Sequence, residues 1–269
     1  MIIFPPAKIN LGLKVMKKRP DGYHDIETCM LPIPLFDVLE ILPAQHLKLV
    51  QTGNKIEGDQ EGNLVLKAWR LIHERYNAPK VLIHLQKHIP TGAGLGGGSA
   101  DAAYLLRGMN TLFSLQLSTK RLQELAAEVG SDCPFFIKDA AQLARGRGEI
   151  LSDFTLDLKG WYLKLIDPGI HVSTAQAYAS IKPADVRQDL QSILQLPVSQ
   201  WKSLLINDFE ASVFSAFPKI AQVKEQLYAD GAVYASMSGS GSSVFGLFES
   251  EPGNASNASD ELSCRVMQL

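Results

Sequence analysis

The chain has 269 residues, of which 46% are hydrophobic and 20% are charged, the balance of a globular protein with a full core. Its formal net charge of −2 argues against nucleic acid as a partner, so an acidic ligand would be held by a few placed donors. Three sparse cysteines argue against a disulfide framework and a structural zinc site, and predict free thiols. With no secretory signal and no long apolar run, we expect a cytoplasmic protein without a membrane span.

The first third of the chain predicts mainly β-strands. Apolar and polar residues alternate over residues 7–15, which indicates a half-buried strand with Lys8 and Asn10 on its polar face. Residues 19–24 have turn composition, centred on Asp-Gly. The next expected elements are strands over 37–42 and 47–51, a loop over 53–62, an amphipathic helix over 63–76 and a strand over 81–88.

After the glycine-rich run that follows, helices and shorter strands are expected. In chain order these are helices over 99–109 and 118–129, an apolar strand after Asp132, a strand over 161–166, helices over 201–214 and 219–229, and strands over 233–237 and 244–248. The strands look antiparallel and the helices stand apart from them. The sequence therefore predicts an α+β fold rather than a doubly wound parallel sheet.

Residues 90–101 give the strongest functional signal, because five glycines occupy seven consecutive positions between a strand and a helix. Glycine lets the backbone approach a ligand, and the amides and dipole of the following helix attract an anion. Ser99 is expected to cap that helix, with a hydroxyl that could also face a phosphate or a metal ion. The spacing Gly92-x-Gly94-x-x-Gly97 matches the dinucleotide fingerprint, but no acidic residue follows about 20 residues later. No lysine follows either, as the P-loop requires, so we interpret the run as a third type of phosphate loop.

Residues 238–242, Ser-Gly-Ser-Gly-Ser, form a second loop of small residues between two predicted strands. Alone it could be an ordinary tight hairpin, but two such loops in one chain favour a ligand shared between them. It is not a nucleophile elbow, because Ser240 has no glycine two positions before it.

Asp132 and Lys8 make chemical sense as a pair. A carboxylate can accept the proton of an attacking hydroxyl, and a nearby ammonium keeps it ionised and stabilises the nascent alkoxide. Taken singly, Asp132 could be a turn residue and Lys8 a solvated charge. Likewise, Tyr23, His24 and Tyr178 could bind a ring by stacking and edge contacts, or simply pack onto the core.

Three segments, residues 6–11, 90–101 and 238–241, resemble the motifs of the GHMP kinases (galactose, homoserine, mevalonate and phosphomevalonate kinases). Residues 7–13, 21–24 and 130–134 narrow the resemblance to members that act on a cytidine diphosphate substrate of the non-mevalonate isoprenoid pathway. The resemblance implies transfer of the γ-phosphoryl group of ATP to a tertiary 2-hydroxyl. It also implies a two-lobed α+β fold, with lobes at 1–153 and 154–269 and the active site in the cleft between them.

The resemblance also implies which residues form the site, because they occupy the positions of the family's motifs. Asp132 would be the catalytic base and Lys8 its partner. Substrate would be bound by Asn10, Tyr23, His24, Tyr178, Gly239 and Ser240, with His24 at the cytosine edge. ATP would be bound by Asn63, Leu64, Pro90, Gly92, Gly94, Leu95, Gly96, Gly97, Gly98 and Ser99.

Mg²⁺ is expected to arrive with ATP in a mostly aqueous shell, with Ser99 as a candidate contact. The expected partner is a small-molecule substrate, with neither nucleic acid nor membrane, and the protein would be a monomer or a homodimer. Three alternatives stay open: another GHMP kinase of the homoserine or mevalonate type, a nicotinamide-dependent oxidoreductase suggested by the glycine fingerprint alone, and a non-catalytic binding protein with the same fold.

Overall fold

The computed structural model describes residues 1–55, 59–178, 181, 189–253 and 263–269. Its strands are β1 (Ile2–Ile3), β2 (Pro6–Lys18), β3 (His24–Phe36), β4 (Val38–Pro43), β5 (Lys48–Gly53), β6 (Val81–Lys87), β7 (Gln142–Gly146), β8 (Ile150–Asp153), β9 (Tyr162–Asp167), β10 (Tyr234–Met237), β11 (Val244–Phe248) and β12 (Ser263–Gln268). Its α-helices are α1 (Leu64–Tyr76), α2 (Gly97–Leu112), α3 (Thr119–Val129), α4 (Thr174–Tyr178), α5 (Leu190–Leu194), α6 (Trp201–Leu204), α7 (Phe209–Ala216) and α8 (Pro218–Ala229). Short 3-10 helices lie at Gln60–Gly62, Cys133–Ile137 and Val198–Gln200.

The first of two compact units comprises residues 1–8, 35–91 and 96–140. Its sheet has the strand order β1-β4-β6-β5, in which β5 runs parallel to β6 and the other pairs are antiparallel. Side chains alternate between the faces of a strand, so the register partners Ile41 and Ile83 are buried together. The helices α1, α2 and α3 pack against one another, and α2 packs on β4. The glycine-rich loop therefore begins and ends on packed elements of this unit.

The second unit comprises residues 9–34, 92–95 and 141–269. It holds the antiparallel sheet β10-β11-β9-β12 and most of a further sheet, β2-β3-β7-β8. Helix α8 packs on β10 and β11, and its Ile220 and Leu227 are buried in the core of this unit. The two units are interleaved in sequence, whereas the predicted lobes meet at a single boundary after residue 153. That division into lobes stays a prediction.

Several expectations are confirmed. Mostly antiparallel sheets with separate helices establish the predicted α+β class. The caps of α3 are as predicted, since Ser118 Oγ accepts from the Arg121 amide at 3.2 Å and Gly130 ends the helix. All three cysteines are free thiols. None of the described helices is both long and apolar enough to cross a lipid bilayer.

Two predictions about β2 and α2 are wrong. The polar face of β2 is not exposed, because Lys8, Asn10 and Lys14 are as buried as the apolar residues between them. Ser99 does not cap α2, because the N-cap is Gly96, whose φ of 70° lies in the left-handed region that glycine adopts readily. Ser99 therefore lies inside the first turn of the helix.

Two further segments differ from their predicted structure. The apolar residues after Asp132 form the 3-10 helix Cys133–Ile137 rather than a strand, since a short apolar run suits either and Pro134 pre-sets a helical φ. The helix predicted over 201–214 is split into α6 and α7. The interruption arises because Ile206 and Asp208 direct their backbone hydrogen bonds to Leu13 of β2.

Candidate active site

Lys8 and Asp132 form an ion pair in the first unit, with 3.8 Å between Nζ and Oδ2. Lys8 projects from β2 and is buried, whereas the Asp132 side chain, at the start of the 3-10 helix Cys133–Ile137, is 33% exposed. Burial lowers the pKa of Lys8, and the neighbouring Asp132 carboxylate opposes that shift. The pair thus places an accessible carboxylate beside a buried ammonium; the sequence predicts the pairing of these two residues but not the burial of Lys8.

The exit of the glycine-rich loop lies against this lysine. A Cβ atom on Gly96 would be 3.2 Å from Lys8 Cε and 2.9 Å from the Phe136 ring, so the backbone passes close to both. Among the described residues, no side chain caps the start of α2, which leaves the amides of its first turn for an anion. Ser99 lies in that turn, half-buried; burial raises the pKa of the neighbouring Cys133 thiol, and the Ser99 hydroxyl opposes that shift.

The start of α1 contributes the other predicted nucleotide residues of the first unit. Asn63 caps α1, its Oδ1 accepting from the Val65 amide at 2.9 Å. The Leu64 side chain lies 3.9 Å from the Cβ position of Gly98, so α1 and the first turn of α2 are neighbours. Pro90 is half-buried between β6 and the loop. The structure therefore brings together Lys8, Asp132, Leu64 and residues 96–99.

In the second unit, the two glycine loops meet. Gly94 has a φ of 78°, and a Cβ atom there would collide with the Ser238 carbonyl oxygen, so only glycine fits. Ser238 Oγ donates to Gly94 O at 2.9 Å and accepts from the Asn10 amide at 3.3 Å. Gly92 and Leu95 belong to the same loop segment, and Gly239 continues the second loop with a φ of 56°. The half-buried Ser240 follows it.

The predicted cytosine-binding rings contact one another. His24 and Tyr178 stack with centroids 4.9 Å apart and planes inclined by 15°, and Phe209 packs edge-on against Tyr178 at 4.8 Å. Tyr23 points outward, 58% exposed, with the Arg147 guanidinium 5.1 Å above its ring. Since a base between two rings needs about 7 Å, twice the contact distance of carbon atoms, no base fits between His24 and Tyr178 as they lie.

Two residues near these loops carry polar contacts that sequence reasoning missed. Asn10 donates from Nδ2 to Thr28 Oγ1 at 3.1 Å, so the predicted substrate residue is already held from β3. Asn207 donates from Nδ2 to the carbonyls of Met237 and Gly239, both at 2.8 Å. The signal for Asn207 was available, because Asn-Asp interrupts the apolar pattern of the predicted helix over 201–214.

Comparisons with known proteins point to one family. A family model for the GHMP kinases N terminal domain matches residues 63–139, and one for GHMP kinases C terminal matches residues 184–268. A relative from Bacteroides fragilis named 4-diphosphocytidyl-2-C-methyl-D-erythritol kinase is 52% identical over 255 residues, 93% of each chain.

Solved structures support the same relationship. The crystal structure of a 4-(cytidine 5'-diphospho)-2C-methyl-D-erythritol kinase matches with a TM-score of 0.84 at 32% identity, over 100% of this chain and 99% of that one. A mevalonate kinase matches with a TM-score of 0.71 over 99% of this chain and 98% of its own, but at 15% identity it shares the fold alone.

Proposed function

The chain belongs to the GHMP kinase family, as its two domain matches and its 52% identical relative establish, and from this we propose its reaction. The protein is a small-molecule kinase that transfers the γ-phosphoryl group of ATP to the 2-hydroxyl of 4-diphosphocytidyl-2-C-methyl-D-erythritol, a step in non-mevalonate isoprenoid synthesis. The observation that carries this reaction is the Lys8–Asp132 pair, 3.8 Å apart and beside the glycine loop at Gly96.

Asp132 acts as the general base. Its partly exposed carboxylate accepts the proton of the substrate hydroxyl while that oxygen bonds to the γ-phosphorus and the bond from phosphorus to the ADP oxygen breaks. Lys8 keeps the carboxylate ionised and stabilises the negative charge that develops on the attacking oxygen. Phosphoryl transfer requires mainly such positioning and charge neutralisation, which this pair supplies.

The glycine loop binds the ATP phosphates. The amides of Gly97, Gly98 and Ser99 form the open first turn of α2, where the helix dipole adds positive potential. We assign the adenine border to Asn63 and Leu64 because Leu64 lies beside Gly98. The left-handed φ of Gly92 and Gly94 lets the loop approach the phosphates without side-chain hindrance.

Mg²⁺ bound with ATP supplies further charge neutralisation. Ser99 fits this ion through its half-buried hydroxyl in the first turn of α2. Over the part of the chain that the structure describes, no three His, Cys, Asp or Glu side chains form a metal site of their own, which favours a mostly aqueous Mg²⁺ shell. The three free thiols suit a reducing compartment, and we place the enzyme in the cytoplasm.

We assign recognition of the cytidine end to Tyr23, His24 and Tyr178. Cytosine would stack beside the His24–Tyr178 ring pair rather than between the two rings, because 4.9 Å leaves no space there. Tyr23, which directly precedes His24 in the sequence, offers an exposed ring. Asn10, Gly239 and Ser240 are assigned to the rest of the substrate, since Asn10 and the second loop are joined through Ser238.

The substrate is tested by ADP release from purified protein with ATP, Mg²⁺ and 4-diphosphocytidyl-2-C-methyl-D-erythritol, with mevalonate, homoserine and galactose in parallel. Turnover with the cytidine substrate alone is expected. Turnover with another alcohol alone would keep the kinase chemistry and replace the substrate. No turnover with any alcohol, by folded protein that binds ATP, would favour a non-catalytic binding protein.

The role of Asp132 is tested by Asp132→Asn, which keeps size and removes the base. We expect kcat to fall by about 10²–10⁴-fold, with the ATP dissociation constant within about twofold of the wild type. Asp139→Asn is the matched control, because Asp139 is a 54% exposed carboxylate of the same unit paired with Arg107, and its kcat should not change. Normal turnover by Asp132→Asn would remove Asp132 as the base.

A further inference from the structure

A buried ion cluster, formed by Asp37, Lys87 and Asp101, joins the two ends of the glycine loop. Lys87 ends β6, and its Nζ donates to Asp101 Oδ2 at 2.7 Å and also to Asp37 Oδ2. All three side chains are at most 2% exposed. None of them takes part in the proton or phosphoryl transfer described above, so their place at this loop needs another explanation.

Asp37 fixes the entry of the loop. Its Oδ1 accepts from the backbone amides of His88 at 2.6 Å and Ile89 at 2.9 Å, the two residues that precede Pro90. One carboxylate therefore binds the Lys87 ammonium and the next two amides of the chain at the same time. Asp37 therefore helps to set the direction in which the chain leaves β6, together with Asn54, whose Nδ2 donates to His88 O at 3.0 Å.

Asp101 fixes the exit of the loop. It lies in α2, one helical turn after Gly97. Gly97 itself rests on the cluster, since a Cβ atom there would be 3.2 Å from Lys87 Nζ and 2.9 Å from Ile89 Cγ2. The ammonium of Lys87 is thus shared between the strand that enters the loop and the helix that leaves it.

Stability alone is a weak reason for this cluster. Two carboxylates and one ammonium leave an excess negative charge when all are ionised, and buried ion pairs are often no more stabilising than apolar residues of the same volume. Asp101 Oδ1 has no hydrogen-bond partner among the described residues, and burial raises the pKa of this carboxyl to about 7. What the cluster does supply is one fixed arrangement of the strand end and the helix start.

We propose that Asp37, Lys87 and Asp101 are positioning residues for the phosphates of ATP. They hold the ends of the glycine loop so that the loop amides and the first turn of α2 face the same ligand. The decisive element is the hydrogen bond from Lys87 Nζ to Asp101 Oδ2, which we call the tie, rather than the negative charge of Asp101. This inference rests on the proposed function in taking ATP as the ligand, but not on which alcohol is phosphorylated.

Two variants of similar size separate the tie from the charge. Asp101→Asn keeps an oxygen that accepts from Lys87 and loses the charge, whereas Asp101→Leu loses both, and each leaves Lys87 balanced by Asp37. The dissociation constant of ATP is measured by titration without an alcohol, alongside kcat and both KM values. Asp101→Asn should bind ATP within about twofold of the wild type and Asp101→Leu about tenfold more weakly, with the KM for the alcohol unchanged.

Asp230→Leu is the matched control, because it breaks a Lys164–Asp230 hydrogen bond of the same 2.7 Å length in the second unit. Its stability should change and its ATP affinity should not. Wild-type ATP affinity in Asp101→Leu would overturn the proposal and leave the cluster a purely structural one. Equal weakening in both Asp101 variants would overturn the role of the tie in favour of the charge.

If Asp101→Leu does not fold, Asp101→Ala removes the tie with less steric demand and is judged by the same criteria. Because ATP titration needs no alcohol, the test remains decisive even if the wild type proves inactive on the cytidine substrate. A wild type that binds no ATP would overturn this inference and the proposed function together. ATP binding without turnover would affect the proposed function alone.

Discussion

The two glycine loops of this protein are held by different chemistry. The ends of the loop over 90–101 are joined by the ion cluster of Asp37, Lys87 and Asp101, in which every side chain is buried and carries a titratable group. The loop over 238–242 has no such charges among its described hydrogen-bond partners. Its described side-chain hydrogen bonds come instead from an amide and a hydroxyl.

These neutral contacts, which we call the neutral clasp, are made by Asn207 and Ser238. Asn207 Nδ2 binds the carbonyls of Met237 and Gly239, and Ser238 Oγ donates to the carbonyl of Gly94. A carboxylate in a buried site responds to pH, whereas an amide does not titrate in the range in which proteins are folded. We therefore expect the loop over 90–101 to be sensitive to protonation and the loop over 238–242 to the loss of hydrogen-bond donors.

Asn207→Asp is expected to have the largest effect on stability, because it breaks the neutral clasp while the side chain at this position keeps its size. The variant replaces the two donor hydrogens by an oxygen that faces two carbonyl oxygens in a buried site. The free energy of unfolding should fall by about 3 kcal/mol, measured by urea unfolding at pH 8. Asn110→Asp is the control, since the half-buried Asn110 donates only one hydrogen bond among the described residues, to Leu117 O at 3.2 Å, and should lose about 1 kcal/mol. A similar loss in both variants would contradict the special role of Asn207.

The ion cluster at the loop over 90–101 should make the stability of the protein depend on pH. Burial raises the pKa of Asp101 to about 7, against about 3.9 in the unfolded chain, while Lys87 lowers it and Asp37 raises it further. The folded state therefore holds an extra proton between these values, so stability falls as pH rises. From pH 5 to pH 7 the wild type should lose about 2 kcal/mol more than Asp101→Asn, measured by urea unfolding. Parallel pH profiles would show that Asp101 is already ionised at pH 5.

Ser238→Ala should have the smallest effect. The hydroxyl makes one hydrogen bond at 2.9 Å and one at 3.3 Å, so its loss should lower the free energy of unfolding by about 1 kcal/mol in urea. Ser212→Ala is the control, because the half-buried Ser212 hydroxyl donates to Ala177 O at the same 2.9 Å distance. A loss as large as that of Asn207→Asp would mean that the hydroxyl, and not the amide, holds the second loop.

Elements with local signals at their ends were predictable from the sequence. The helix α3 has a serine before it and a glycine after it, and both act as caps. By contrast, β3 was not predicted, because Pro32 and Pro34 are unusual inside a strand and interrupt the alternation that marks one. Burial of the polar face of β2 was not predictable either, since it depends on elements far away in sequence.

The residues of the candidate site also divide into those that the sequence predicts and those that it does not. The glycine run and Asp132 were visible because composition and a helix end mark them. The ion cluster was not, because Asp37 lies 50 residues from Lys87 and only the folded sheet brings them together. One signal did exist: the alternation of β6 places Lys87 on the buried face with Ile83 and Leu85. A lysine at an apolar position of a strand therefore indicates buried carboxylates near it.

The interleaving of the two units has a consequence for synthesis on the ribosome. Asn10 and Ser238 are hydrogen-bonded although they are 228 residues apart. At about 5–20 residues per second, Ser238 is made roughly 10–50 s after Asn10. The first unit has all its residues once Ala140 is made, whereas residues 9–34 must wait for partners still to be translated. The nascent chain thus begins its second unit early and completes it last, which leaves β2 and β3 as the segments that a chaperone would protect.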